Sequence, residues 1–358
     1  WSLEERKQTL MRCHLVWERN PVAQGAIRVT RAFVVGTGLN LTYRNKQVEE
    51  VLEQFRHDNR QRIQRWERQW FEQLMIDGEV FARLFTANGS ISVRSVKPWL
   101  VQAIQTDEED RDQREIYHMF MERGSGAPTS PPVIQGNAVA VPADEVIHCY
   151  INALSYEMRG RSELFAILPW LRAYREWLEN RARINRYKGF LYHLQMKGAS
   201  SGQISSKRSA FKQPPAPGSV YVSSDAEELK ELGGSIDAGR VAEDGRQLKL
   251  MSLVGLSLPE YMLSEGYNAN LATARAQQLP ALRTFADYQD IYIQELWQPL
   301  YEAVLEAAGI DLNAELPEHD ADGKETGKVI WICKAFEVNA QQLVDEDPKN
   351  LMEALALA

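Results

Sequence analysis

The chain has 358 residues, of which 44% are hydrophobic and 25% charged, with a formal net charge of −8. That length can bury a sizeable core, points to two or three domains at about 150 residues each, and excludes disorder as the main state. No run approaches the roughly 18 apolar residues of a membrane-spanning helix, so the chain reads as soluble. Cys13, Cys149 and Cys333 lie far apart without a CxxC spacing, which argues against a disulfide framework or zinc knuckle and fits a reducing compartment. The chain opens Trp1-Ser2-Leu3 with no basic-then-apolar leader, and is expected to be a fragment, trimmed or disordered before residue 1.

The net charge hides a segregation. Between Arg172 and Lys212 there are ten basic and two acidic residues, a local charge of +8, so the rest of the chain sums to −16. The stretches Asp225 to Glu265 and Glu302 to Glu353 are both strongly acidic. A basic island in an acidic protein is either a solvated charged helix and loop or a docking surface.

Residues 3–35 read as helix, interrupted at Asn20-Pro21 and ended by Gly36-Thr37-Gly38, a lone GxG that is no dinucleotide fingerprint. Gln47 to Met75 reads as one long charged helix, stopped by Asp77-Gly78. The period then alternates: Glu79 to Phe85, the turn Asn88-Gly89 and Ser90 to Arg94 predict a hairpin with a type I′ turn. Leu100 to Gln105 and Glu115 to Glu122 follow as strands, separated by the run Asp107 to Asp112, which reads as a solvated hairpin tip rather than a metal site. Gly124 to Pro132 is a loop, and Val139 to Val141 with Val146 to Tyr150 completes a mainly β module. His148 beside Cys149 reads as a packed interior pair, because no activating third group stands nearby in the sequence.

From Arg161 the period is helical again, with Ser162 as N-cap and an apolar face of Leu164, Ile167, Leu168, Leu171, Tyr174 and Leu178. Arg172, Arg175, Arg183 and Arg186 give this helix a cationic side. Phe190 to Met196 alternates like a strand, Gly198 to Ser206 reads as a polar link, and the Pro-rich turn near Pro214 leads to a short strand, Ser219 to Val222. A glycine-interrupted apolar segment runs to Leu263, broken at Pro259. The polar stretch Gly266 to Asn270 precedes a long helix, Leu271 to Ala308, kinked near Pro280 and Pro299. An acidic loop, a strand from Lys328 to Val338 and a helix from about Asp347 close the chain.

No Walker A sequence, HExxH, CxxC pair or EF-hand loop is present. Gly198-Ala199-Ser200-Ser201-Gly202 matches GxSxG literally, but a nucleophile elbow needs a strand before the serine, a helix after it, and an acid and a histidine downstream. The only later histidine is His319, in the acidic loop, so a serine hydrolase is not expected. The sequence does not read as an enzyme, and it calls for no cofactor and no metal.

The order of these parts resembles the portal proteins of tailed bacteriophages. Arg19-Asn20-Pro21-Val22-Ala23 followed by Val34-Val35-Gly36-Thr37-Gly38 resembles the family's opening helix and its "VVGxG" ending. Asp77-Gly78-Glu79-Val80-Phe81 resembles its "DGEVF" strand start, and Arg159-Gly160-Arg161-Ser162 the approach to its first stem helix. Pro217-Gly218-Ser219-Val220 is similar to the clip's strand start. Gly255-Leu256-Ser257-Leu258-Pro259 with Asn270-Leu271-Ala272-Thr273-Ala274-Arg275 is similar to the run before the tunnel helix. Two departures stand out. Gly233, Gly234, Gly239 and Gly245 argue against a continuous second stem helix before about Gly245, and the C-terminal crown is mostly missing if the chain ends at Ala358.

The resemblance implies an α+β, portal-like fold: a wing over 1–160, a first stem helix over 161–190, a clip over 191–232 and a second stem segment over 233–263. A tunnel loop and long kinked helix follow over 264–308, a wing strand return over 309–338, and the start of a crown over 339–358. It implies a homo-oligomeric ring, usually of twelve subunits, at one capsid vertex of a virion assembled in the host cytoplasm. Double-stranded DNA would pass along its axis during packaging and ejection. The terminase large subunit and then head-completion or adaptor proteins would dock on the clip, with the major capsid protein and scaffold as further partners and no membrane.

Asn268, Asn270, Thr273, Arg275, Gln277 and Gln278 are then the expected tunnel lining. Their neutral amides and hydroxyls can touch phosphates without trapping them, Arg275 is the exception, and Asn270 or Thr273 doubles as N-cap. Lys197, Lys207, Arg208 and Lys212 are the expected docking residues of the clip, and Leu171 and Leu178 those of ring assembly. The rival readings are a stand-alone nucleic-acid-binding protein using 172–212 as a basic arm, which predicts strong salt-dependent binding by the isolated chain, and a hydrolase using Ser200.

Overall fold

Local signals set most of the helices. In the computed structural model, which describes residues 2–87, 89–120, 122–123, 133–134, 138–188, 192–210, 227–231, 238–263, 271–320 and 323–343, α1 (Leu3–Arg19) opens on a capping box between Ser2 and Glu5. Asn20 ends α1 and caps α2 (Pro21–Val34), its Oδ1 accepting from Val22 N at 2.9 Å, with Pro21 where no N–H is needed. β1 (Asn40–Tyr43) leads to α3 (Lys46–His57), capped by Asn45, and α4 (Ile63–Asp77), stopped by Gly78 at φ 81°. The single helix expected over 47–75 is therefore two, because the chain turns at Asp58–Arg62 with Arg62 left-handed at φ 55°.

The predicted hairpin is present as β2 (Glu79–Ala87) and β3 (Ser90–Val96), with Gly89 at φ 74°. β4 (Val101–Thr106), β5 (Arg114–Met119), the two-residue β6 (Glu122–Arg123) and β7 (Val133–Ile134), β8 (Val139–Pro142) and β9 (Val146–Tyr150) follow. They form antiparallel sheets in the orders β3-β2-β9 and β4-β5-β8, with β6 paired to β7. Phe81, Val101, Tyr117, Met119, Val141 and Val146 make a dry core, each large side chain contributing about 1.5–3 kcal/mol by its burial.

Further on, α5 (Leu168–Lys188) starts seven residues later than the sequence predicts: Ser162 Oγ accepts from Leu164 N and caps a turn, and Pro169 occupies the first turn of the helix, where its missing N–H costs nothing. β10 (Tyr192–Met196) pairs with β11 (Glu227–Glu231), and 211–226, including the predicted strand at 219–222, lies outside the described residues. The expected polar link holds a helix, α6 (Ser201–Ala210). α7 (Ala238–Val254) runs unbroken through Gly239 and Gly245, against the expectation of no continuous helix before Gly245. The reason is packing: a Cβ at Gly245 would stand 2.4 Å from the Trp177 ring of α5, so the glycine admits that ring.

α8 (Leu271–Tyr292) carries Pro280 inside it, a π turn spans Ile293–Trp297, and α9 (Gln298–Ala307) has Pro299 in its first turn. The π turn absorbs the break that Pro299 imposes on the hydrogen-bond ladder and buries Leu296 and Trp297. β12 (Glu315–His319), read from sequence as an acidic loop, pairs with β13 (Glu325–Trp331). The strand expected over 328–338 is interrupted by a 3₁₀ turn at Ile332–Lys334, and β14 (Phe336–Asn339) pairs instead with β1. The predicted helix from Asp347 lies outside the described residues.

The chain divides into two units, Trp1–Leu168 with Leu253–Ala358, and Pro169–Ser252. In the first, Trp70, Phe71, Tyr292, Trp297 and Tyr301 form an aromatic core. Tyr292 donates to Glu67 O at 2.7 Å and Gln289 to Val34 O at 2.9 Å, tying α8 to α4 and α2. In the second, α5 and α7 pack through Trp177 and Gly245.

Candidate functional site

Two of the phrases that carry the sequence resemblance, 77–81 and 159–162, meet in space. Gly78 O accepts from Ile151 N at 2.8 Å, Arg161 N donates to Ile151 O at 3.0 Å, and Glu163 N donates to Met75 O at 3.0 Å. Glu79 follows at the start of β2, fully buried, and receives the Arg159 guanidinium twice, at 2.7 Å on each carboxylate oxygen. Arg159 also donates to Pro98 O at 3.0 Å and Val101 O at 3.2 Å and lies over the Phe81 ring. Arg6 of α1 reaches Gly160 O at 2.9 Å and stands 3.6 Å from Glu79. One carboxylate thus holds α1, β2, the loop before β4 and the segment leading to α5.

The electrostatics follow from burial. Burial alone would raise the Glu79 carboxyl, but the charge and hydrogen bonds of Arg159 and the bond from His148 outweigh it and hold it at about 2. His148, 3.3 Å from Glu79 and stacked on Phe81 with centroids 4.0 Å apart, is pushed down to about 4 by its own burial. His148 and Cys149 are interior residues, as expected, but a third group does stand beside His148: Glu79, already claimed by Arg159. Burial raises the Cys149 thiol well above its ordinary value, so it is not a nucleophile. Beside them His14 pairs with buried Asp77 at 2.7 Å, and that bond raises the imidazole. Among the described residues no group of three or more His, Cys, Asp or Glu is placed to hold a metal ion.

The predicted docking residues lie in the second unit. Lys197 and Arg208 are exposed and Lys207 half-buried, the last two in the final turn of α6, while Lys212 lies outside the described residues. Ser200 of the GxSxG match caps α6: its Oγ accepts from Gln203 N at 3.5 Å and its N donates to Gln203 Oε1 at 2.9 Å. The cationic side of α5 is partly neutralised, Arg172 pairing with Glu176 and Arg175 with Glu179 at 2.8 Å each. The two predicted assembly residues part company: Leu171 is 1% exposed and Leu178 45%.

Of the predicted tunnel residues, Asn268 and Asn270 lie outside the described residues. Thr273, Arg275 and Gln277 occupy the first two turns of α8, and Gln278 is half-buried. Because α8 begins at Leu271, Thr273 is inside the helix and is not its N-cap.

The buried hub of Glu79, Arg159, His148 and Arg6 was missed by reading the sequence. The available signal was an acid and an arginine inside two phrases otherwise marked by their glycines.

No protein-family model matches the chain, and no curated protein matches it. Solved structures do. A chain in the neck of a native gene transfer agent particle, computed with C12 symmetry, matches all of this chain and 89% of its own length, with 13% identity and a TM-score of 0.58. The chain shares the fold of that neck chain. A chain of the virion of the native particle matches 97% of this chain and 86% of its own length at 12% identity and a TM-score of 0.57. A portal protein of the HK97 phage family from Corynebacterium diphtheriae matches 74% of this chain at 13% identity, with a TM-score of 0.39, too low to establish a common fold. The shared fold mixes helices and sheets, as the sequence predicts.

Proposed function

We propose that this chain is the subunit of a phage portal ring, a non-enzymatic conduit at one vertex of a capsid through which double-stranded DNA is packaged and ejected. The observation that carries the reading is the likeness of the whole chain to a neck protein from a particle computed with C12 symmetry. The order of the portal-like phrases supports it. In this reading the first unit is the wing with the tunnel helix α8, and the second is the stem and clip, where terminase and then adaptor proteins dock.

A conduit must let DNA slide, and each phosphate neutralised by a fixed cation adds salt-sensitive affinity that resists sliding. An acidic chain whose 172–212 cations are partly paired within α5 suits that requirement. The amides and hydroxyls of Asn268, Asn270, Thr273, Gln277 and Gln278 supply a polar wall, and Lys197, Lys207, Arg208 and Lys212 a basic rim for the motor.

Native mass spectrometry of the purified chain tests this. A closed assembly of about a dozen chains is expected. A monomer that binds DNA tightly with a steep salt dependence would replace the reading with that of a stand-alone nucleic-acid-binding protein.

A further inference from the structure

Five arginines of the first unit form a second cationic surface that the charge profile along the sequence does not single out. Arg60 precedes α4, Arg62 is its N-cap, and Arg65 and Arg68 follow at intervals of three, so that each falls about 60° short of a full turn from the last. They share one flank of the helix. Arg94 of β3 joins them, its guanidinium 5.9 Å from the Trp66 ring centroid on α4. All five are exposed. Their side-chain hydrogen bonds go to carbonyls where they are made, Arg68 to Thr37 O at 3.0 Å and Arg94 to Val93 O at 2.5 Å. None of the five has a carboxylate within ion-pair distance among the described residues, whereas Arg31 and Arg56 nearby pair with Glu72 and Glu67.

The same unit projects a surface of opposite sign. The turn between β4 and β5 carries Asp107, Glu108, Glu109, Asp110 and Asp112 with the exposed Arg111 among them, a net charge of −4. Asp107 accepts from the backbone N–H groups of Glu109 and Asp110 at 2.8 and 3.0 Å, and Asp110 from that of Asp112 at 3.0 Å. Those two carboxylates fix the turn and leave Glu108, Glu109 and Asp112 exposed. A head-to-tail ring contact joins two different surfaces of one chain, and this unit offers one of each sign.

We propose that the arginine flank of α4 is a subunit contact whose occupant is the acidic β4–β5 turn of a second copy of this chain. The proposal rests on the ring reading above and names the surfaces that close the ring. It also accounts for five exposed arginines, in a chain of net charge −8, that have no acidic partner among the described residues. Contacts between exposed charges are screened within about 8 Å at physiological salt, so this contact strengthens as salt falls.

The test uses two variants of the full chain, Arg62→Glu with Arg65→Glu, and Glu108→Lys with Glu109→Lys, read by native mass spectrometry beside the unmodified chain. Each alone removes most of the charge complementarity at every contact, taking the arginine flank from +5 to +1 or the acidic turn from −4 to 0, and is expected to lower the ring fraction at least tenfold, with an unchanged monomer melting temperature. Mixed one to one they restore complementarity around an alternating ring of even number, and rings are expected to return. Rings from either variant alone at the unmodified level, or a mixture that stays unassembled, would overturn the proposal while leaving the ring reading in place. Failure of the unmodified chain to form rings would overturn both. Should either double variant melt early, Arg65→Gln and Glu109→Gln replace them: each alone is expected to flatten the salt dependence of assembly, and an unchanged salt dependence for both would overturn the proposal.

Discussion

Gly78 and Gly160 meet backbone against backbone, so closely that a Cβ on Gly160 would stand 1.9 Å from Gly78 O. Gly78 is itself left-handed at φ 81°, and its own Cβ would meet the Arg161 backbone at 2.1 Å. Gly160→Ala is therefore expected to cost about 2–4 kcal/mol, because backbone rather than a flexible side chain must give way. Urea unfolding of the purified chain measures it. A loss below about 0.5 kcal/mol would show that the approach is not needed.

Glu79→Gln removes the charge that Arg159, His148 and Arg6 all face, and leaves the half-buried Arg159 without its ion-pair partner. The expected loss is about 3–5 kcal/mol at neutral pH. Urea unfolding again reads it, and a chain as stable as the unmodified one would mean that Arg159 finds another anion.

The same hub predicts a pH dependence. Glu79 sits at about 2 in the folded chain against an ordinary 4.5, so its stabilisation is complete above 4.5 and is lost as pH falls toward 2. His148 sits at about 4 against 6.5, so the unfolded chain takes up its proton first, and stability falls as pH drops from 6.5 toward 4. Each shift corresponds to about 3 kcal/mol. His148→Gln should flatten the curve between pH 6.5 and 4 relative to the unmodified chain and leave the part below 4.5. Parallel curves for the two chains would contradict this.

Leu171 and Leu178 were grouped by helical period, and the structure separates them. Leu171→Asp should unfold its surroundings, whereas Leu178→Asp, at a residue 45% exposed, should change monomer stability by no more than about 0.5 kcal/mol and lower the ring fraction. Melting curves and native mass spectra on the same samples distinguish the two effects. A Leu178→Asp chain that assembles normally would remove this residue from the interface.

What could be read from the sequence was what neighbouring residues decide. The Asn20-Pro21 interruption separates α1 from α2, and the turn at Gly89 closes the β2–β3 hairpin. The break between α3 and α4 was hidden because charged, helix-favouring residues continue the period straight through Asp58–Arg62. β12 looked like an acidic loop because Leu316 is its one apolar side chain that finds cover, opposite Ile330. β14 pairs with a strand almost 300 residues earlier, beyond any local pattern. The candidate site divides the same way: the cations of 172–212 stand out by composition, whereas Glu79 and Arg159, 80 residues apart, become partners only in the fold.

The tunnel assignment predicts that Thr273→Lys, present in every subunit, places about a dozen like charges around one aperture and slows DNA translocation, while Thr273→Ser is nearly silent. Packaged, nuclease-resistant DNA per particle reads this, and unchanged packaging with the lysine would take 271–278 off the DNA path.

Electron cryomicroscopy of the purified full chain tests the central claim most directly. The account predicts closed rings of about twelve subunits around an axial opening, with the start of α8 facing the axis. Uniform monomers or dimers, or rings with residues 271–278 on the outer wall, would contradict it.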